Sequence, residues 1–193
     1  MKVTKKKETR IVDITNLQTR DGTGNEPVVI SGYAAVFNSK TSIGDFFEEV
    51  IAPGAFARTI SENGDIRALF NHNWDHVLGR TRNGTLKVEE DNRGLKFEVE
   101  LPNTSLARDL AESLRRGDIN QCSFGFFATN DTWDYAVEPA VRTLNEIELY
   151  EISVVSIPAY EDTEVSLRSK EIDEQVEKRI KILNQIKGVL ENE

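Results

Sequence analysis

Three stretches of this chain carry residue types that can do acid, base or nucleophilic chemistry. "ALFNHNWDHVLGR", residues 68–80, holds His72 and His76, the two histidines of the sequence. A histidine titrates near neutrality, so each is a candidate general base. Were residues 72–76 helical, the two rings would share a face, as in a zinc helix. But Asn-His-Asn-Trp-Asp favours a loop, no Glu follows the first histidine, and no third ligand stands nearby. "NQCSFGFFAT", residues 120–129, sets Cys122 beside Ser123. In a strand these two side chains point to opposite faces, so only one can meet a given histidine. Gly125 lets backbone come close to a substrate or to a developing oxyanion. "EIELYEISVVSIPAY", residues 146–160, reads as a buried strand interrupted by Glu151. A buried carboxylate is costly unless it is paired, and holding a histidine in its tautomer is one such pairing. The plainer readings are a core strand for Ser123, a surface loop for the histidines, and a solvent face for Glu146 and Glu148.

The elements that would position these groups are mostly strands. "RIVDITNL" (10–17) alternates weakly and "VVISGYAAVFN" (28–38) reads as a strand bent at Gly32, with turn residues between them. "PGAFARTISENG" reads as one short helix, with Pro53 near its start and Gly64 just beyond its end. "DIRALFNHN" is a strand running into a loop. Leu86 and Val88 alternate with polar residues, "EDNRG" turns, and Leu95, Phe97, Val99 and Leu101 alternate again, which predicts a hairpin. "TSLARDLAESLRRGD" has helical apolar spacing, with Thr104 or Ser105 as cap and Gly117 as stop. Beyond Ser169, Ile172, Val176, Ile180, Leu183, Ile186 and Leu190 recur every three or four residues, which predicts an amphipathic helix of about six turns. The expected organisation is a mobile arm over 1–10, a mostly β (α+β) domain over 11–168, and a helical tail over 169–193.

Bulk properties narrow the class. The 193 residues suffice for one domain with a core. A net charge of −9 makes nucleic acid and anionic membranes poor partners. No apolar run is long enough to span a bilayer, and no apolar segment follows the basic "MKVTKKKETR" as a secretory signal would require. The single Cys122 excludes an internal disulfide framework and any multi-cysteine metal site, and suggests a cytoplasmic setting.

Taken together, the three stretches resemble the phage prohead (capsid maturation) protease family of the HK97 type, which is related to the herpesvirus assembly proteases. The resemblance rests on order and spacing: "LFNHNWDHVLGR", then "SFGF" roughly fifty residues on, then "LYEISVVSIPAY". It extends to "SGYAAVFN", to "EVIAPGAF" and to the "RTL" lead-in to the last strand, and so covers roughly residues 28–168. The family implies a β-barrel flanked by helices, like the herpesvirus assembly protease, and a serine endopeptidase without a metal or organic cofactor. It implies Ser123 as nucleophile, His72 as general base and Glu151 as third triad member, with Glu148 as the alternative. His76 and Cys122 then fall to structural roles. An arginine-bearing loop helps build the oxyanion hole in herpes-type enzymes. Here "SIPAYEDTEV" holds no arginine before Arg168, so the backbone amides from Ser123 to Gly125 are the expected donors. The implied substrates are scaffold and major capsid protein segments, and the chain itself, inside proheads assembling in the host cytoplasm. Homo-oligomers are expected, with the tail helix as one means of association.

Three other readings remain: an inactive scaffold or assembly protein of the same fold, a cysteine hydrolase using Cys122, and a metal hydrolase using His72 and His76.

Overall fold

The computed structural model describes residues 7–13, 15–20, 27–62 and 64–156. It is built mainly of strands, in two sheets. β1 (Lys7–Asp13) and β2 (Thr15–Arg20) follow each other directly but belong to different sheets. The stretch that alternation assigns to one strand is thus the crossover between sheets. The expected arm over 1–10 is strand from Lys7 onward, because β1 pairs antiparallel along β10 (Gln121–Asp134) from Lys7↔Phe127 to Asp13↔Gln121.

The larger sheet runs β1, β10, β11 (Ala140–Val155), β5 (Phe47–Ile51), β4 (Thr41–Ile43). β11 is long enough to take two parallel partners in succession. Its first residues pair with β5, and Glu151–Val154 pair with β6 (Arg67–Phe70), which turns back as β7 (Asn73–Arg80). The smaller sheet runs β2, β3 (Val29–Val36), β9 (Gly94–Glu100), β8 (Leu86–Glu90). The hairpin read from alternation at 86–101 is β8–β9.

The expected barrel does not form. Closure requires the outer strands of a sheet to pair. Among the described residues, β1, β4 and β7 end the larger sheet, and β2 and β8 end the smaller. The flanking helices are short: α1 (Ala57–Ser61) and α2 (Ser105–Arg116). α2 begins where Thr104 Oγ1 accepts from Ala107 N–H at 3.2 Å and ends at left-handed Gly117, as the sequence predicts. No helix among the described residues is long and apolar enough to cross a membrane. The tail helix expected over 169–193 lies outside the described residues.

One apolar core joins the sheets. It includes Ile30, Phe97 and Val99 of the smaller sheet, Cys122, Phe124, Phe126, Ile152 and Val154 of the larger, and Leu110 and Leu114 of α2. A polar cluster fixes the strands of the larger sheet. Arg142 on β11 donates to Glu8 at 2.7 Å, Asp131 at 2.7 Å and Glu49 at 3.1 Å, while Arg10 donates to Glu49 at 2.5 Å and to Glu8 at 2.8 Å. Burial pushes the Glu8 carboxyl up, but the hydrogen bonds and charge of Arg142 and Arg10 outweigh it and hold the group below its ordinary value.

Candidate active site

Strand alternation divides β10 and β11 cleanly. Cys122, Phe124, Phe126, Ile152 and Val154 enter the core. Ser123 and Gly125 point to the other face, where they are cross-strand neighbours of Ser153 and Glu151. The opposed orientation expected of Cys122 and Ser123 is therefore observed. Burial, with the charge of Glu151, pushes the Cys122 thiol far above its ordinary value, so this thiolate does not form near neutrality.

His72 arrives from the side, on the β6–β7 hairpin. The loop read over 71–75 is narrowed here: the turn is Asn71 and His72, β7 starts at Asn73, and residues 74–76 bulge between the pairs Phe70↔Asn73 and Leu69↔Val77. Both loop residues are left-handed, with φ of 53° and 56°. Two successive positive φ values make a two-residue hairpin turn whose twist matches the strands. Asn tolerates that conformation well, and here it is also fastened. Its N–H donates to Val154 O at 2.9 Å, its Oδ1 accepts from Ser156 N–H at 2.8 Å, and its Nδ2 donates to Ser156 Oγ at 3.0 Å. The turn is thereby bound to the end of β11.

The His72 ring reaches back to β11, with Nδ1 2.8 Å from Glu151 Oε1. Glu151 is 2% exposed. Its second oxygen, Oε2, accepts from Ser153 Oγ at 2.6 Å. A carboxylate that is ionised only accepts, so in a pair with one Nδ1 is the donor and Nε2 is the nitrogen that faces away from it. Glu148, the alternative acid, pairs with Phe127 further down the ladder, and the acid bonded to His72 is Glu151. His76 lies on β7, part-buried, and takes no part in the His72–Glu151 contact.

A bulge aims the carboxylate. Gly125 pairs with Glu151 but Phe126 pairs with Leu149, so Tyr150 is an extra residue on β11. A Cβ on Gly125 would lie 2.5 Å from Glu151 Oε1 and 2.7 Å from two Tyr150 ring carbons. The absent side chain therefore makes room for both. Tyr150 in turn stacks on Trp74, at 6.5 Å and 16°, and Trp74 is half exposed beside the turn.

Ser123 is fully buried, and its Oγ has no hydrogen-bond partner among the described residues. The structure thus pairs His72 with Glu151 and sets Ser123 on the same face of the sheet, but not in a hydrogen bond to His72. The amides expected as oxyanion donors do not fit that role here. Ser123–Gly125 is flanked by β1 and β11, and the N–H groups of a central strand point in the sheet plane at its neighbours. The sequence reading missed Ser153, Asn71 and Tyr150. Only Ser153 left a usable signal, since it stands two residues after Glu151 in a strand and so shares its face.

Known proteins resemble this chain in sequence and in fold. Residues 15–178 match the family of caudovirus prohead serine proteases. The chain is 25% identical over 162 residues to the prohead protease of Escherichia phage T5, across 73% of this chain and 71% of that protein. Its fold is similar to that of the bacteriophage T4 capsid assembly protease, with a TM-score of 0.56 at 12% identity, covering 79% of this chain and 99% of the other. This chain belongs to the caudovirus prohead serine protease family.

Proposed function

We propose that this member of the caudovirus prohead serine proteases works through Ser123 as nucleophile, His72 as general base and Glu151 as the acid that orients it. Its proposed substrates are segments of capsid and scaffold proteins, and its own chain, within proheads assembling in the host cell. The observation that carries this reading is the 2.8 Å contact between His72 Nδ1 and Glu151 Oε1 on the face that also bears Ser123.

The proton transfers follow from these three side chains. His72 Nε2 takes the Ser123 proton as Oγ attacks a peptide carbonyl, forming a tetrahedral adduct. The imidazolium then protonates the leaving amine, and the peptide C–N bond breaks to leave an acyl-serine. Water, deprotonated by the same nitrogen, releases the acid and restores Ser123. Glu151 keeps the proton on Nδ1 and stabilises the imidazolium. Catalytic hydrogen bonds are often open in substrate-free enzymes and tighten on binding, which accommodates the unpartnered Ser123 hydroxyl.

That same buried hydroxyl favours a second reading, an inactive assembly protein of this fold. Intact masses of wild type and Ser123→Ala, followed over time with and without purified capsid protein, separate the two. Wild type should shed segments or cut capsid protein while the alanine protein does neither. Identical masses in every mixture would reject the protease reading. Self-association through residues 169–193 belongs to the proposal too, on their regular apolar spacing. Sedimentation of the full chain against a chain ending at Arg168 tests it, and equal masses per particle would reject it.

A further inference from the structure

We propose that Ser153 is a positioning residue for this site, a single hydroxyl that locks the carboxylate and the base-bearing turn into one unit. The inference rests on the Ser123–His72–Glu151 reading and adds a residue to it.

Ser153 is fully buried on the outer face of β11, in register with Ser123 on β10 and Leu69 on β6. Its Oγ donates to Glu151 Oε2 at 2.6 Å and accepts from the His72 backbone N–H at 3.3 Å. The two cross-strand serines therefore differ in kind. The Ser123 hydroxyl is uncommitted, whereas Ser153 holds its proton on a carboxylate and its lone pair on a turn.

Each of those bonds governs a freedom that matters to the base. The terminal torsion of a Glu side chain is broad, so one bond from Oε1 to His72 leaves the carboxylate plane free to turn. A second bond at Oε2 fixes that plane, and with it the direction from which Oε1 meets Nδ1. His72 holds a φ of 56°, unusual for a residue with a side chain, and persists there only if its surroundings hold it. Asn71 secures the turn on one side through Ser156 and Val154. Ser153 secures the next peptide by accepting its N–H. Because Ser153 lies in a strand flanked by β10 and β6, its backbone does not depend on the hydroxyl. Losing the hydroxyl should misplace the base without unfolding the sheet.

The test uses the full chain and a fluorophosphonate probe, in which serine oxygen displaces fluoride at phosphorus while the base takes the serine proton. Thr and Val at position 153 impose the same added bulk and differ in the hydroxyl, so Ser153→Thr, Ser153→Val and Ser153→Ala are compared. Ala and Val should lower the maximal labelling rate at Ser123 by about 10- to 100-fold, the scale for misplacing a reacting group by up to an ångström. The probe's half-saturating concentration should stay unchanged, and Thr should recover most of the rate. In proton NMR, the low-field His72 Nδ1–H signal should persist in wild type and Thr and weaken in Val. Wild-type labelling rates in Ala and Val, or equal slowing by Thr and Val, would overturn the role of Ser153. If wild type is not labelled at Ser123, the nucleophile assignment fails instead. The NMR comparison then still judges Ser153, and an unchanged signal in Val would overturn its role.

Discussion

Gly125→Ala probes the site without substituting any of its three reactive groups. The added Cβ would lie 2.5 Å from Glu151 Oε1, about 0.9 Å inside ordinary van der Waals contact. It would also lie 2.7 Å from two carbons of the Tyr150 ring. The ring packs against Trp74 and Phe127, so it resists displacement too. The carboxylate cannot move without cost, since it is held by His72 at 2.8 Å and Ser153 at 2.6 Å. A displacement of about 0.9 Å exceeds the spread of normal hydrogen-bond lengths, so the bonds to His72 and Ser153 should not both survive it. Overpacking of this kind costs about 1–3 kcal/mol of stability. Loss of the oriented base should slow labelling of Ser123 by about 100-fold. The two effects separate in Gly125→Ala/Tyr150→Ala, where the ring contact is gone but the carboxylate contact stays. That double variant should regain thermal stability and remain slow. The assay is fluorophosphonate labelling of full-length chain beside a melting curve. A folded Gly125→Ala protein that labels at the wild-type rate would refute the reasoning, because it would show that His72 works without a fixed Glu151.

Cys122→Ala should label and process like wild type and lose about 1 kcal/mol in a denaturant melt, the scale of an ordinary buried truncation; loss of labelling would revive the cysteine as nucleophile. Arg142→Ala leaves Glu49 and Glu8 with less compensation in a largely buried cluster and should cost about 3–5 kcal/mol in urea unfolding. A loss below about 1 kcal/mol would place this cluster in the class of surface pairs. The two hydrogen bonds from Arg80 hold the Asp65 carboxyl at about 2, against an ordinary 3.8. Its contribution to stability is therefore present above pH 3.8 and lost as pH falls toward 2. Urea midpoints of wild type and Asp65→Asn should differ near neutrality and converge across that window, and parallel curves would show that the pair contributes nothing.

The strands and helices were legible where their signal is local. The alternation of residues 86–101 becomes β8–β9, and the Thr104 cap and Gly117 stop bound α2 as read. Three features were not legible, because none of them follows from the local alternation of residues. Residues 10–17 alternate as one strand, yet the chain changes sheets near position 14, since Val12 meets Cys122 on one side and Thr15 meets Tyr33 on the other. The polar letters of "NHNWD" suggest a loop; two left-handed residues make the turn, Asn73 pairs with Phe70, and the ladder with β6 resumes only at Val77. Ring closure is a matter of which outer strands pair, and no stretch of sequence records it.

The candidate site divides along the same line. His72, Ser123 and Glu151 are readable because each is an unusual residue type for its setting: a rare histidine, a hydroxyl among phenylalanines, a carboxylate in an apolar strand. What brings them to one face is register, and register reads only as pairs. Ser123 faces Ser153, and Gly125 faces Glu151, only because β10 and β11 slip by one residue at Tyr150. Removing that bulge would reverse the faces of Glu151 and Ser153 relative to Ser123, since strand side chains alternate with a period of two. The acid would then stand opposite Phe124, on the face that carries the apolar core, and away from His72. The glycine that permits the bulge and the serine that completes the carboxylate's bonding are thus as necessary to the geometry as the three reactive groups. They are harder to read only because glycine and serine are ordinary residues until their cross-strand partners are known.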